Sequence, residues 1–264
     1  MTCFNFGKNW CNFQKVLTPE REIVATKHTL SFLKDISIED KAVLDIGCGS
    51  GLFSLVFFRA GAKKIVSFDR DSKAVDCTCK LRDRYNNSTN WHVLYGDILK
   101  DKFIESLEMF DIVYAWGSLH HTGNMYKALE NTIKCVKKDG VVYLAIYNKI
   151  LGRNINSSAF WTKEKKLFNS CPFLIQRLIL CSFAIYYILD MIRHLKNPYR
   201  IIKSCKERGM DWWVDLLDWL GGYPYEYASV DEIFKFFYER GFNLINIKST
   251  NSIGNNEYLF KKIL

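Results

Sequence analysis

From about residue 40 the chain alternates short apolar runs with stretches of helical spacing. AVLDIG (42–47), KIVSFD (64–69), WHVLYGD (91–97), FDIVYAW (110–116) and GVVYLAIYN (140–148) read as buried strands. Helices are expected between them, near 51–60, 72–85, 101–108 and 125–137, the last stopped by Asp139-Gly140. Strands separated by helices are joined by parallel crossovers, so the pattern predicts a doubly wound α/β sheet. Strands apolar on both faces fit, because helices cover both sides of such a sheet.

The alternation breaks at residue 150. Residues 151–225 carry helical spacing and many aromatics, after which the sheet pattern resumes. VDEIFKFFYERG (230–241) reads as an amphipathic helix, and FNLINIKS (242–249) and NEYLFKKI (256–263) as two terminal strands joined by a turn. The expected organisation is an N-terminal helical or lid segment (1–37), a sheet domain made of 38–150 and 226–264, and a helical insertion (151–225) capping the sheet.

Charge sharpens this division. The net charge is +9, and residues 151–210 hold eleven lysines and arginines against Glu164, Asp190 and Glu207, a local excess of +8. Such a segment attracts phosphates, RNA or anionic lipid, or is a solvated helical face. Hydrophobic residues make up 48% of the chain and aromatics 15%, which excludes wholesale disorder. Nine cysteines without a CxxC pair, the closest being Cys77 and Cys79, predict reduced thiols in a cytoplasmic setting and no metal site. The opening MTCFNFGKNW lacks the pattern of a secretory signal. The apolar run Phe173–Leu189 is interrupted by Gln176 and Arg177, which favours a buried or interfacial helix over a membrane-spanning one.

The first strand runs into Asp45-Ile46-Gly47-Cys48-Gly49-Ser50-Gly51. A glycine-rich turn before a helix N-terminus lets a ligand approach the backbone and offers N–H groups to a carboxylate or phosphate. The nicotinamide-type motif requires glycine or alanine where Leu52 stands, so that version fails.

VLDIGCGSG resembles the nucleotide-binding motif of class I S-adenosylmethionine-dependent methyltransferases. Asp69 at the end of the second strand, Gly96-Asp97-Ile98 after the third, the loop WGSLHHTGNM after the fourth and the terminal strand pair resemble that family's landmarks in order and spacing. The resemblance implies a mostly parallel, seven-stranded Rossmann-like sheet with an antiparallel last strand, and S-adenosylmethionine as cofactor. The cofactor-binding set it implies is Asp45, Gly47, Cys48, Gly49, Gly51, Asp69, Arg70, Asp97, Ile98 and Trp116. In it Asp69 holds the ribose hydroxyls, Asp97 and Ile98 the adenine, and Asp45 helps orient the methionine ammonium. His120 and His121 then stand beside the methyl group, where an imidazole can take a proton from the acceptor, His121 being favoured. Adjacent histidines diverge, which argues against a metal. Weaker substrate-binding candidates are Lys8 and Trp10 in a lid, Tyr147 and Asn148 at the end of the fifth strand, and Tyr223 and Tyr225 in an aromatic loop.

FNFGKNW, WGSLHHTGNM and DWLGGYPYEYAS resemble a bacterial subgroup associated with surface-polysaccharide modification, including capsule phosphoramidate pathways. With the basic insertion, this predicts methyl transfer to an O or N atom of a small, anionic acceptor. Two alternatives remain: an RNA methyltransferase, suggested by the pI of 9.0, and a non-catalytic cofactor-binding scaffold docked on a membrane through 173–189. Peripheral membrane contact is expected from the same run.

Overall fold

The computed structural model describes residues 4–85, 89–152, 155, 157–203 and 209–264. Seven strands form one sheet in the order β3-β2-β1-β4-β5-β7-β6, with β1 Ala42–Ile46, β2 Lys64–Asp69, β3 Trp91–Tyr95, β4 Phe110–Trp116, β5 Val136–Tyr147, β6 Phe242–Lys248 and β7 Asn255–Lys262. The first five are parallel, and β7 lies antiparallel between β5 and β6. The chain turns from β1 outward to β2 and β3, then returns to β4 on the other side. That reversal opens a crevice at the carboxyl ends of β1 and β4, where ligands bind in sheets of this kind.

Side chains alternate between two cores. Leu44, Val66, Val113 and Val142 pack on one face, and Val43, Ile65, Ile112 and Tyr143 on the other. The first face is covered by α5 (Asp101–Glu105), α6 (Met125–Lys134) and α11 (Val230–Tyr238). The second is covered by α2 (Pro19–Leu33), α3 (Leu52–Arg59) and α4 (Ser72–Arg82). Ser229 and Glu232 close a capping box at the start of α11, fixing where the chain re-enters the sheet.

The stop expected at Asp139-Gly140 is not where α6 ends. The helix closes at Lys134, and β5 begins at once with Val136. Asp139 takes a positive φ of 61°, and the register against β4 jumps between Phe110 and Ile112. The pair is therefore a bulge inside a long strand.

Between β5 and α11 lie α7 (Ser158–Ser170), α8 (Phe173–Arg193), α9 (Pro198–Lys203) and α10 (Trp212–Gly221). Trp161, Phe168, Trp212, Leu216 and Leu220 build a separate core that reaches Tyr147 and Tyr225, anchoring these helices to the carboxyl end of β5. An additional helix, α1 (Phe6–Lys15), is capped by the Asn5 side chain and packs against α4 and α10. Arg153, Lys206 and Arg208 of the basic segment lie outside the described residues.

Candidate active site

The β1–α3 turn is shaped by two glycines. Gly47 (φ 75°) leaves no room for a Cβ, which would stand 2.4 Å from Ser118 Cβ. Gly49 (φ 56°) passes so close under the Trp10 indole that a Cβ would meet Nε1 at 2.9 Å. Both positions thus need glycine for conformation and for approach. Helix α1 is held over this turn by polar bonds. The Gly7 N–H donates to Asp71 at 2.9 Å, and Gln14 donates to the Ser50 carbonyl at 3.0 Å.

Two cavities of about 430 Å³ each open at the carboxyl edge. The first runs from Gly47 past Asp69, Arg70, Gly96, Asp97 and Ile98, and is closed by Phe4, Phe6, Trp10, His121 and Tyr223. The second runs from Cys48 and Gly49 past His120 and Tyr147 to His28, Asp215, Trp219, Lys248 and Glu257. They share Trp10, Gly47, Trp116, Gly117 and Asp218 as common walls.

Asp69 sits at the end of β2. One carboxylate oxygen accepts from Gly49 N–H at 3.1 Å and the other from Asp71 N–H at 2.9 Å. Each retains acceptor capacity toward the cavity. Burial raises its pKa to about 6, against the pull of those N–H donors. Asp97 accepts from Leu99 N–H at 2.9 Å and lines the same cavity beside the apolar Ile98.

Asp45 is placed differently from its expected role. It is buried, accepts a short hydrogen bond from Ser54, and lines neither cavity. Ser54 in turn meets Ser67 at 2.7 Å, and Trp91 donates to Ser67 at 2.9 Å. Burial raises the Asp45 pKa to about 7. This chain ties β1, α3, β2 and β3 together under the glycine turn, so Asp45 supports the turn and does not reach an ammonium in the cavity.

The adjacent histidines part company in a single 3-10 turn, Leu119–His121. His121 lines the first cavity and His120 the second. His121 Nδ1 lies 2.6 Å from the Pro224 carbonyl and so carries the proton, leaving Nε2 as an acceptor. His120 Nδ1 accepts the Tyr147 N–H at 3.2 Å, which puts its proton on Nε2 and makes that atom a donor. Burial keeps both rings neutral, lowering the His121 pKa to about 3 and that of His120 well below the usual value.

Of the weaker candidates, Trp10 and Tyr223 line the first cavity, and Trp10 and Tyr147 the second. Three do not reach either. Lys8 is exposed on the outer side of α1. Asn148 is spent on the Thr250 and Ser252 carbonyls, at 2.8 and 3.1 Å. Tyr225 is buried in the insertion core. Gly51 is the left-handed N-cap of α3 and supports the turn from behind. Among the described residues no group of three or more His, Cys, Asp or Glu is placed to hold a metal ion.

Several wall residues escaped the reading of the sequence. Asp215 and Asp218 project from α10, and Glu257 from β7. Spacing held a signal for the first two, since Asp211, Asp215 and Asp218 recur along one helical face of an otherwise apolar segment. Burial would raise the Glu257 pKa, but Tyr143, Trp116 at 3.0 Å and His28 at 3.3 Å surround the carboxylate and lower it to about 2. Lys165, counted with the basic surface, is instead fully buried. Its ammonium donates to the Trp219 carbonyl and faces the rings of Trp219, Tyr225 and Tyr147 at 4.3, 4.9 and 5.7 Å. The described insertion cations that remain exposed line neither cavity.

Comparison with known proteins identifies the family. The family model described as a methyltransferase domain matches residues 20–183, more than half of the chain. A ribosomal protein L11 methyltransferase from Streptococcus uberis is 31% identical over 106 residues, covering 40% of this chain and 33% of that protein. A ubiquinone biosynthesis O-methyltransferase from Pelagibacter ubique is 29% identical over 118 residues, covering 44% and 46%. The chain thus spans less than half the length of these curated relatives. Magnesium protoporphyrin IX methyltransferase from Synechocystis PCC 6803, solved with bound S-adenosylhomocysteine, has the same fold, with a TM-score of 0.53, 15% identity and coverage of 92% of this chain and 83% of that one. A (4+2)-cyclase, SpnF, superposes with a TM-score of 0.54 at 11% identity, over 92% of this chain and 79% of its own. The fold by itself therefore does not fix the reaction.

Proposed function

Because the chain belongs to the methyltransferase domain family, we propose that it moves a methyl group from S-adenosylmethionine to an oxygen or nitrogen atom of a small acceptor. The observation that carries this reading is the pair of cavities meeting at Gly47, Trp116, Gly117 and Asp218. The first fits an S-adenosyl group. Asp69 offers oxygens to a diol, Asp97 and Ile98 offer an acceptor and an apolar face to a purine, and the glycine turn leaves backbone open to the amino-acid end. Bound there, S-adenosylmethionine supplies a methyl group on a positively charged sulfur. The chain contributes alignment and exclusion of water, with Trp10, Trp116 and Tyr147 forming the walls across which the two ligands face one another.

Neither histidine is disposed to take a proton in the second cavity. His120 presents N–H there, and the Nε2 lone pair of His121 belongs to a ring walling the first. Asp218 is the carboxylate common to both cavities, and we assign it the task of orienting the acceptor's O–H or N–H.

The charge of the second cavity supports an acceptor class other than the anionic one expected from the sequence. Its walls carry Asp215, Asp218 and Glu257 against Lys248, with the buried Lys165 near Asp218, while the exposed insertion cations among the described residues line neither cavity. The described cations of the basic segment thus give no support to an anionic acceptor, and we propose a neutral or cationic one, such as a hydroxyl or amine. A place in surface-polysaccharide modification is supported by the resemblance of FNFGKNW and WGSLHHTGNM. Transfer of labelled methyl from S-adenosylmethionine to panels of amines, neutral hydroxyl compounds and their phosphorylated counterparts tests both parts. Label in the first two panels supports the reading. Label confined to the phosphorylated panel overturns the acceptor class, and absence of both transfer and cofactor binding overturns the function.

A further inference from the structure

Helix α8 hides very little of its apolar surface. It runs 21 residues from Phe173 to Arg193 with a mean hydropathy of 1.6 over its most apolar stretch, only 11% of which is buried. Its buried residues are Leu180, Ala184 and Met191, the first two seated on the insertion core. Leu174, Leu178, Cys181, Ile185, Leu189 and Ile192 follow at spacings of three and four and form one straight stripe facing away from the protein. Every aliphatic member of that stripe is more than half exposed. At 1.5 Å per residue the stripe is about 27 Å long. An exposed, contiguous apolar surface of this size marks a contact with something outside the chain.

Charge says what that something is. Lys163, Lys166, Arg177, Arg193, Lys196 and Arg200 are exposed on α7, α8, α9 and their connections, and the acids of residues 157–203 are Glu164 and Asp190 alone. Exposed Tyr186 and Tyr199 lie among them, a residue type favoured where apolar and polar phases meet. A second copy of the chain would bring six cations against six. An anionic bilayer would satisfy apolar stripe and cations together. We propose that α8 lies in the plane of an anionic lipid surface, its aliphatic stripe in the acyl boundary and the surrounding lysines and arginines on the headgroups. The site faces lipid independently of which acceptor the enzyme methylates.

The test is co-sedimentation of the full chain with vesicles of phosphatidylcholine alone and of phosphatidylcholine with phosphatidylserine. Binding is expected to the anionic vesicles and to weaken as salt rises. R193Q/K196Q/R200Q should weaken it on the order of 100-fold, at roughly fivefold per cation. L178E/I185E/L189E, at exposed positions that leave the core intact, should abolish it while preserving the circular dichroism spectrum and S-adenosylhomocysteine binding. Equal binding to both vesicle types, or none to either, overturns the proposal. So does a dimer in sedimentation velocity that the stripe variant dissociates, since the stripe would then be a protein interface. Resistance to alkaline extraction from cell membranes would overturn it as well, by making α8 a spanning helix.

Discussion

His120 and His121 are neighbours in the chain, yet their rings stand 74° apart and wall different cavities. The 3-10 turn that carries them sits where the two cavities meet, and opposite hydrogen bonds fix opposite tautomers. Burial makes His121 a weak base, with a pKa of about 3, so on the proposed function methyl transfer rests on alignment and on carboxylates.

His121→Ala should therefore lower the turnover number by less than about tenfold, measured at saturating cofactor and acceptor. A loss of roughly 10²–10⁴-fold would instead identify an imidazole that takes a proton. His120→Ala should mainly destabilise, because it leaves the buried Tyr147 N–H without its acceptor, at a cost of about 1–3 kcal/mol in chemical denaturation.

Asp218→Asn should reduce turnover far more than either histidine variant, on the order of 10²-fold or more. Asp215→Asn should raise the Michaelis constant for a cationic acceptor and leave that for a neutral one nearly unchanged. If both variants improve the use of phosphorylated compounds and leave amines unaffected, the acceptor assignment is wrong.

Asp69 predicts a pH dependence for cofactor binding. Its pKa is raised to about 6, so the carboxylate is ionised above that value and protonated below it. The ionised form is the stronger acceptor for two hydroxyls, since protonation turns one acceptor site into an O–H donor. Affinity for S-adenosylhomocysteine should thus hold at pH 7–8 and fall as pH drops through 6. In Asp69→Ala the affinity should be weaker by roughly 1–3 kcal/mol, with this part of the pH dependence absent.

Lys165 predicts a pH dependence for stability. Burial lowers its pKa to about 7, so between pH 7 and the ordinary lysine value near 10.4 the unfolded chain binds more protons than the folded one. Stability rises with pH across that window and is lost as pH falls through 7. Urea denaturation of the unmutated chain should show a gain on the order of 3 kcal/mol between pH 7 and 10 that Lys165→Met lacks. Parallel profiles for the two proteins would mean that the amine is hydrated after all.

The sheet was legible because its strands are apolar on both faces and its helices are periodic, and the order of AVLDIG, KIVSFD and FDIVYAW needs no long-range information. The glycine turn was legible because local sequence dictates local geometry at a strand end, whereas Asp69 was singled out through the family resemblance and lies at the end of β2, in the first cavity. Where side chains point was not. Asp45 looks like a ligand-facing acid in the motif, but Ser54, in the first turn of α3, captures it. Lys165 looks like one more surface cation, and only the packing of α7 on α10 encloses it among Trp219, Tyr225 and Tyr147. The carboxylates of the second cavity come from α10 and β7, distant in sequence from the motif, and no local pattern joins them to it.

The central claim, that the crevice at Gly47, Asp69 and Asp97 holds the S-adenosyl group, is tested most directly by calorimetric titration of the purified chain with S-adenosylhomocysteine, alongside NAD. The expected result is one site per chain with a micromolar dissociation constant, about 8 kcal/mol of binding free energy, and no saturable heat from NAD. Absence of binding by S-adenosylhomocysteine, or tighter binding of NAD, would contradict it.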